Sequence, residues 1–470
     1  MSDLNFDLVV IGAGPAGYGA ALYAGGAGLQ VAIIEREDLG GTCLHRGCVP
    51  AKALLETAAV YRTVQNAKKF GISASDPKVD LSVAQGRKQS LVDGLAKGVE
   101  QLLKKRNVQI FSGTGRVGHG KTVSVEAEDG SIRVLRGDAI LLAAGSVPRN
   151  ILGFEPDGIR VMTSNEVLDI SEVPVDVVVL GGGAIGCEFA SMFSDLGAAV
   201  TIVEHEGSIL PSADIDVSKA LLRAFKKKNI KVKTGVRATG HSPRTDTVSG
   251  SIVHLDDGSA LETELIVVSV GRSPRSDLLG LDGTSVSVDG RGFVQVDALC
   301  QTTSEGIYAI GDLIDTPQLA HVGFAEAMMV VTHLLGEVAV PIDYANVPWA
   351  IYCHPEVAFA GLTETQAKEQ GYQVTVSKHR YNANSRAMIL DETEGLVKVV
   401  AEKLPGGGAG TILGVHIVGP WATEQIGQGY LAVNWEATVR DVASLVQPHP
   451  TLSELFGETV LDLTGRSLHG

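Results

Sequence analysis

The sequence predicts an α/β protein with two Rossmann-like domains and a C-terminal α+β domain. Three observations predict it. A strand, a glycine-rich turn, a helix and a second strand ending in Glu occur twice. Each copy is followed by a buried strand that ends in glycine. From Asn346 the pattern changes to alternating strands with separate helices.

The first copy reads FDLVVIGAGPAGYGAALYAGGAGLQVAIIE and the second VDVVVLGGGAIGCEFASMFSDLGAAVTIVE. Glu35 stands 23 positions after Gly12, and Glu204 stands 23 positions after Gly181. Gly12, Gly14 and Gly17 permit a tight turn, close approach of a pyrophosphate and close helix–strand contact, and the helix N-terminus supplies free N–H groups. Glu35 is then placed to bind ribose hydroxyls. Gly181, Gly183, Gly186 and Glu204 repeat the pattern, so the chain is expected to hold two dinucleotides. The second is expected to be NAD rather than NADP. A carboxylate bonds a 2′-hydroxyl and repels a 2′-phosphate, and no Lys or Arg lies between Ala198 and Ala213.

ILLAAG at 140–145, IVVSVG at 266–271 and GIYAIGD at 306–312 read as buried strands that end at ligand-facing turns, with Asp312 directly after the last glycine. The third is expected to return to the first domain. The resulting division is 1–147 and 271–345 for the first nucleotide domain, 148–270 for the second and 346–470 for the tail. In the tail, AIYCHPEVAFAG, GLVKVVAEK and TILGVHIVG read as strands and 421–437 as a helix; LPGGGAGT at 404–411 reads as a hairpin loop.

The chain's 470 residues exceed one ordinary core, and 44% hydrophobic with 20% charged residues is a globular composition. A net charge of −15 argues against nucleic acid or an anionic membrane as partner, since both need a basic face. Leu8 to Leu29 is apolar, but Asp3 and Asp7 precede it without a basic region, and its glycines fit a turn better than a signal peptide. No other run approaches the length that spans a bilayer. The five cysteines are too scattered for a disulfide framework, which favours a reducing, cytoplasmic compartment.

In GGTCLHRGCVPAK at 40–52, Cys43 and Cys48 stand five apart. On a regular helix their Cα atoms would be roughly 8.6 Å apart, beyond disulfide reach. A bond between them needs a distorted turn, with Gly47 giving flexibility and Pro50 a stop. The pair reads as a catalytic redox couple, and two free cysteines or half a metal site are the alternatives. Cys187, Cys300 and Cys353 read as packing residues.

With these motifs on view, the chain resembles the class I pyridine nucleotide–disulfide oxidoreductases over essentially its whole length. The segment YNANSRAMILDETEG at 381–395 and the tail DLTGRSLHG, which lacks a cysteine pair, resemble the branch that oxidises protein-bound dihydrolipoamide. The resemblance implies FAD and NAD as cofactors, with electrons passing from the Cys43–Cys48 disulfide through FAD to NAD. Cys43 would be the interchange thiol and Cys48 the thiol in charge-transfer contact with flavin. Lys52 would lie beside the flavin and pair with Glu188. Ala144, Gly145, Asp312, Leu319, Ala320, His321 and Gly118 resemble further FAD contacts; Gly271 and Val236 resemble NAD contacts. His449 in HPTLSE would deprotonate the substrate dithiol, oriented by Glu454, in the active site of the other subunit of a homodimer. The implied partner is the lipoyl-bearing acyltransferase of a 2-oxo acid dehydrogenase complex, and an NAD(P)H-dependent reductase of another low-molecular-weight disulfide is the alternative. The chain departs from the family's usual CLNVGCIPSK by placing His45 and Arg46 between the thiols.

Overall fold

The computed structural model describes residues 4–244 and 250–469. The chain divides into two compact units, one of Met1–Leu54, Ser82–Arg149 and Gly271–Tyr344, the other of Leu55–Leu81, Asn150–Val270 and Ala345–Gly470.

In the first unit, strands Gln109–Ser112, Val31–Glu35, Leu4–Ile11 and Ile132–Leu142 run parallel in that order. Leu8, Val9 and Val10 are fully buried, as continuous apolar runs are in a sheet covered on both faces. The GIYAIGD segment does return here, its strand Ile307–Ala309 pairing in parallel with Ile132–Leu142. Register sets Ile11 level with Ile34 and Leu142, and Leu142 level with Ala309. The residues that follow therefore all leave the sheet at one edge, the carboxyl ends where ligands of such sheets bind. Two antiparallel strands, Thr114–Val117 and Thr122–Glu126, extend from the start of Ile132–Leu142.

The second unit carries a matching parallel sheet, in the order Lys231–Thr234, Ala199–Glu204, Asp176–Leu180, Leu265–Val268, Val161–Thr163. Its other sheets are antiparallel, and the larger runs Trp349–Ile351, Glu356–Gly361, Ala409–Gly419, Leu396–Lys403, Val374–Arg380. The glycine-rich 404–411 stretch is the hairpin loop expected of it: Gly406, Gly407 and Gly408 all have φ near +90°. Three readings need correction. AIYCHPEVAFAG is two antiparallel strands that turn at 352–355, because Pro355 interrupts the ladder. The 421–437 helix is shorter, Ala422–Asn434. Pro50 stops nothing: it lies in the first turn of the helix Cys48–Asn66, where a missing N–H leaves no bond unmade.

Lys398, 0% exposed, ties the parallel and tail sheets of this unit together. Its Nζ donates to Asp214 Oδ1 at 2.9 Å, Asp216 Oδ2 at 2.8 Å and Glu364 Oε2 at 2.8 Å. Asp214 caps the helix Ile215–Lys227. Burial alone would lower the ammonium's pKa, but three carboxylates outweigh it and the pKa rises. Burial also opposes ionisation of Asp216, yet Lys398 and Lys378 hold its pKa below the ordinary value. The Asp216 contribution is therefore present above the ordinary carboxylate pKa and is lost as pH falls through the lowered one.

Replacing Lys398 by Met leaves buried Asp214 and half-buried Asp216 and Glu364 without their countercharge. It should cost roughly 3–5 kcal/mol in urea denaturation at neutral pH. The deficit should shrink in acid, where the carboxylates are protonated in both proteins.

Candidate active site

The two glycine turns have one shape. Gly12 and Gly181 both have φ +102°, and an added Cβ would meet the Ala143 carbonyl oxygen at 2.3 Å in one and the Ser269 carbonyl oxygen at 2.5 Å in the other. A Cβ on Gly17 would lie 1.9 Å from the Gly12 oxygen, and on Gly186 1.9 Å from the Gly181 oxygen. Packing demands these four glycines. Gly14 and Gly183 differ, since their backbones are extended and no atom lies within 4 Å of the Cβ position. They stand at the starts of Pro15–Gly26 and Ala184–Asp195, neither of which has a side-chain cap. Uncapped N–H groups above open space form a cradle for a phosphate.

A carboxylate braces each turn. Glu35 Oε2 accepts the Ala13 N–H at 2.7 Å, and Oε1 accepts the Arg36 and Glu37 N–H groups at 2.9 and 3.0 Å. Burial raises the Glu35 pKa, with the backbone bonds opposing it. Glu204, 4% exposed, repeats the arrangement: Oε2 accepts from Gly182 N–H and Oε1 from Glu206 N–H at 2.7 Å, with His205 Nδ1 2.9 Å away. These residues, read from sequence as ribose ligands, also hold the glycine turn in place. Val236 lies beside Glu204, its N–H on the Glu204 carbonyl at 3.2 Å.

An open cleft of about 650 Å³ is lined by Arg36, Glu37, Ser112, Gly113, Thr114 and Glu126. Gly118 is not among its walls; it lies in the turn between Thr114–Val117 and Thr122–Glu126, its N–H bonded to the Thr122 carbonyl at 2.8 Å. Gly113, which sequence reasoning did not single out, lines the cleft. Its N–H holds the Glu35 carbonyl at 2.8 Å, and the Ser-Gly-Thr-Gly string after a strand was the available signal.

Along the same edge of the first sheet, Ala143 donates to the Ile11 carbonyl at 2.8 Å, and Ala144 and Gly145 follow, Gly145 with φ +68°. The Asp312 carboxylate accepts the Ser146 hydroxyl and lies 3.6 Å from Arg272. Leu319 is the N-cap of Ala320–Leu334, so Leu319, Ala320 and His321 open that helix, and a Cβ on Gly323 would meet the Ala16 Cβ at 3.0 Å. Gly271 falls in the first unit, with φ +103° and its carbonyl on the Arg149 N–H at 3.0 Å.

Cys43 and Cys48 are disulfide-bonded, with Cα atoms 4.6 Å apart. The distortion the spacing demands is a break between two helices: Gly41–His45 ends at Arg46, and Cys48–Asn66 begins two residues later. Gly47 sits in a crowded spot, since a Cβ there would be 3.0 Å from the Thr42 oxygen. Cys48 at a helix N-terminus is positioned to favour a thiolate after reduction. The segment rests on the first glycine turn. Gly40 N–H donates to the Ala13 carbonyl at 2.8 Å, and a Cβ on Gly41 would be 2.6 Å from Gly14 Cα. Neither intervening charge is unpartnered: His45 Nε2 is 2.9 Å from the Leu39 oxygen, and Arg46 pairs with Glu37. Cys187, Cys300 and Cys353 are buried, and burial raises all three thiol pKa values, as suits packing residues. Among the described residues no cluster of three or more metal-ligating side chains stands.

In the second unit His449 Nδ1 is 2.7 Å from Glu454 Oε1, whose other oxygen accepts the Thr451 N–H at 2.6 Å. The imidazole is 70% exposed, so its Nε2 faces away from the carboxylate and into solvent reach. Glu188 is buried and accepts the Tyr352 N–H at 2.9 Å; Lys52 lies on Cys48–Asn66, half-buried.

Residues 6–327 match the family model for pyridine nucleotide-disulphide oxidoreductases, and residues 347–460 match the model for that family's dimerisation domain. The dihydrolipoyl dehydrogenase of Bacillus subtilis (strain 168) is 39% identical over 475 residues, covering 99% of each chain. Among solved structures, LpdA from Mycobacterium tuberculosis matches with a TM-score of 0.90 at 27% identity, over 98% of this chain and 99% of that one. The HOCl-induced flavoprotein disulfide reductase RclA from Escherichia coli matches at 0.84 and 25% identity, over 98% of this chain and 99% of its own.

Because Gly183 has ordinary backbone angles and free space, Gly183→Val should leave thermal stability unchanged while filling the cradle. Calorimetric titration with the dinucleotide should show affinity reduced at least about tenfold. A fall in melting temperature with intact binding would contradict the cradle.

Proposed function

The chain belongs to the pyridine nucleotide–disulphide oxidoreductases, and on that premise we propose that it is a dihydrolipoyl dehydrogenase, oxidising protein-bound dihydrolipoamide to lipoamide at the expense of NAD. The observation that carries this is a disulfide seated directly on the first glycine turn by the Gly40–Ala13 hydrogen bond. FAD and NAD are its cofactors. The FAD residues are Gly12, Gly14, Gly17, Glu35, Ala144, Gly145, Asp312 and the Leu319–His321 turn, with Lys52 beside them; Gly113 is preferred to Gly118 because its N–H bonds the Glu35 carbonyl. NAD falls to Gly181, Gly183, Gly186, Glu204, Val236 and Gly271. We assign residues 1–147 with 271–345 to the FAD domain, 148–270 to the NAD domain and 346–470 to the interface domain.

The protein is a homodimer through its dimerisation domain. Trp421, Leu431, Trp435, Leu445 and Val446 are exposed within that domain and suit a second copy. Among the described residues no helix is long and apolar enough to cross a membrane. The electron donor is the lipoyl arm of an acyltransferase in a 2-oxo acid dehydrogenase complex.

Glu454 engages Nδ1, which leaves His449 Nε2 to take a proton from one substrate thiol in the active site of the other subunit. The thiolate attacks Cys43 Sγ, breaking the Cys43–Cys48 bond and releasing Cys48 as a thiolate at its helix N-terminus. The second substrate thiol displaces Cys43 from the mixed disulfide. Lipoamide leaves, and both electrons remain on the pair. FAD, held by the residues named above, would supply the route by which these electrons leave the pair and reach NAD as hydride.

Cys48→Ser should retain bound flavin and lose lipoamide turnover; turnover at wild-type rate would overturn the assignment. His449→Gln should lower kcat with dihydrolipoamide by about 10²- to 10⁴-fold at unchanged flavin content. Steady-state rates under NADH should favour lipoamide over other small disulfides, and the reverse order would indicate a reductase of another disulfide.

A further inference from the structure

Three carboxylates of this protein act alike at strand ends. Glu35 holds the Ala13 N–H after Leu4–Ile11, and Glu204 holds the Gly182 N–H after Asp176–Leu180. The third is Glu326, whose Oε2 accepts the Gly311 N–H at 2.6 Å, just beyond Ile307–Ala309. Glu35 and Glu204 terminate the sequence repeat. Glu326 belongs to no motif and sits within the helix Ala320–Leu334, 0% exposed.

Its other oxygen, Oε1, accepts the Thr316 hydroxyl at 2.9 Å and the Tyr344 hydroxyl at 3.0 Å. One carboxylate thus holds both ends of the 311–316 loop, which carries Asp312. All three partners donate. An ionised carboxylate can accept all of them, whereas a carboxylic acid brings a proton into a ring of donors and forces a hydroxyl to turn away.

We infer that Glu326 is a positioning residue for the flavin: ionised, it fixes the 311–316 loop so that Asp312 meets FAD, and protonated, it lets the loop and the flavin go. The inference rests on Asp312 being an FAD contact. The groups facing Glu326 are Asp312 on the loop and Tyr344, with the Cys300 thiol beside Tyr344. Arg272 stands 3.6 Å from Asp312. Burial raises the Glu326 pKa to about 7, against the pull of its three hydrogen bonds and with help from the Asp312 charge. Burial also lifts the Cys300 thiol to about 12 and raises the Tyr344 phenol, so Glu326 is the member of this cluster that titrates near neutrality. The Gly311 and Thr316 donors hold this pKa below what burial alone would give, so releasing the loop raises it, and by linkage the tight state holds above about 7 and is lost as pH falls.

The test is FAD dissociation from the holoenzyme, followed by flavin fluorescence on both sides of that pH. Wild type should release flavin about tenfold more readily on the acid side. Glu326→Gln should release it readily at every pH, with a flat profile. Tyr344→Phe removes one donor to the ionised form, so it should move the midpoint to higher pH, which a merely structural side chain would not do. If the Gln variant does not load flavin, the Tyr344→Phe midpoint decides. A Gln variant with wild-type affinity and pH profile, or an unmoved midpoint in the Phe variant, overturns the inference. Asp312→Ala separates the two levels. Unchanged FAD affinity there sinks the reading of Asp312 itself, whereas weakened affinity beside a silent Glu326→Gln sinks only the role of Glu326.

Discussion

A carboxylate that accepts the second backbone N–H beyond a strand end, the first that no neighbouring strand pairs, is the contact on which the candidate sites depend. A left-handed glycine turn exposes donors that the strand no longer pairs, and leaving one unpaired and buried costs about 1–3 kcal/mol. Glu35 and Glu204 each satisfy such a donor two residues before a helix begins. The same bond that stabilises the turn therefore sets its shape, and the shape leaves open space over Gly14 and Gly183.

The thiol pair inherits its place from that turn. Ala13 donates to Glu35 through its N–H and accepts from Gly40 through its carbonyl, so one residue joins the carboxylate brace to the segment that bears Cys43. Gly40 and Gly41, with φ +107° and +57°, allow the approach. The disulfide is reactive by location, at a helix start and partly exposed, whereas the other three cysteines are kept protonated by burial. Arg46 and His45, which stand between the thiols, direct their side chains to Glu37 and the Leu39 carbonyl.

Much of this was legible in the chain itself. Strand, glycine spacing, helix and terminal Glu are properties of a window of some thirty residues, and both windows fold as read. The break that lets Cys43 reach Cys48 followed from helix geometry, though the part given to Pro50 was mistaken because a proline in a first helical turn starts a helix as readily as it ends one. Which glycine adjoins Glu35 was not legible for a related reason. Several glycines crowd 113–120, and only the pairing of strands tells which of them adjoins Glu35.

By itself the sequence determined the two nucleotide folds, the preference for NAD, the redox pair and the class of chemistry, because each is written in residue types at fixed short spacing. The tertiary structure decided what meets across long separations: Ser146 with Asp312, 166 positions apart, Gly40 on Ala13, and Glu326 on the loop of Asp312. Those contacts depend on sheet register and on which helix end packs on which. Neither leaves a periodic signal in the chain, since a single buried carboxylate inside an apolar helix looks the same whether it braces a loop or merely finds a neighbour.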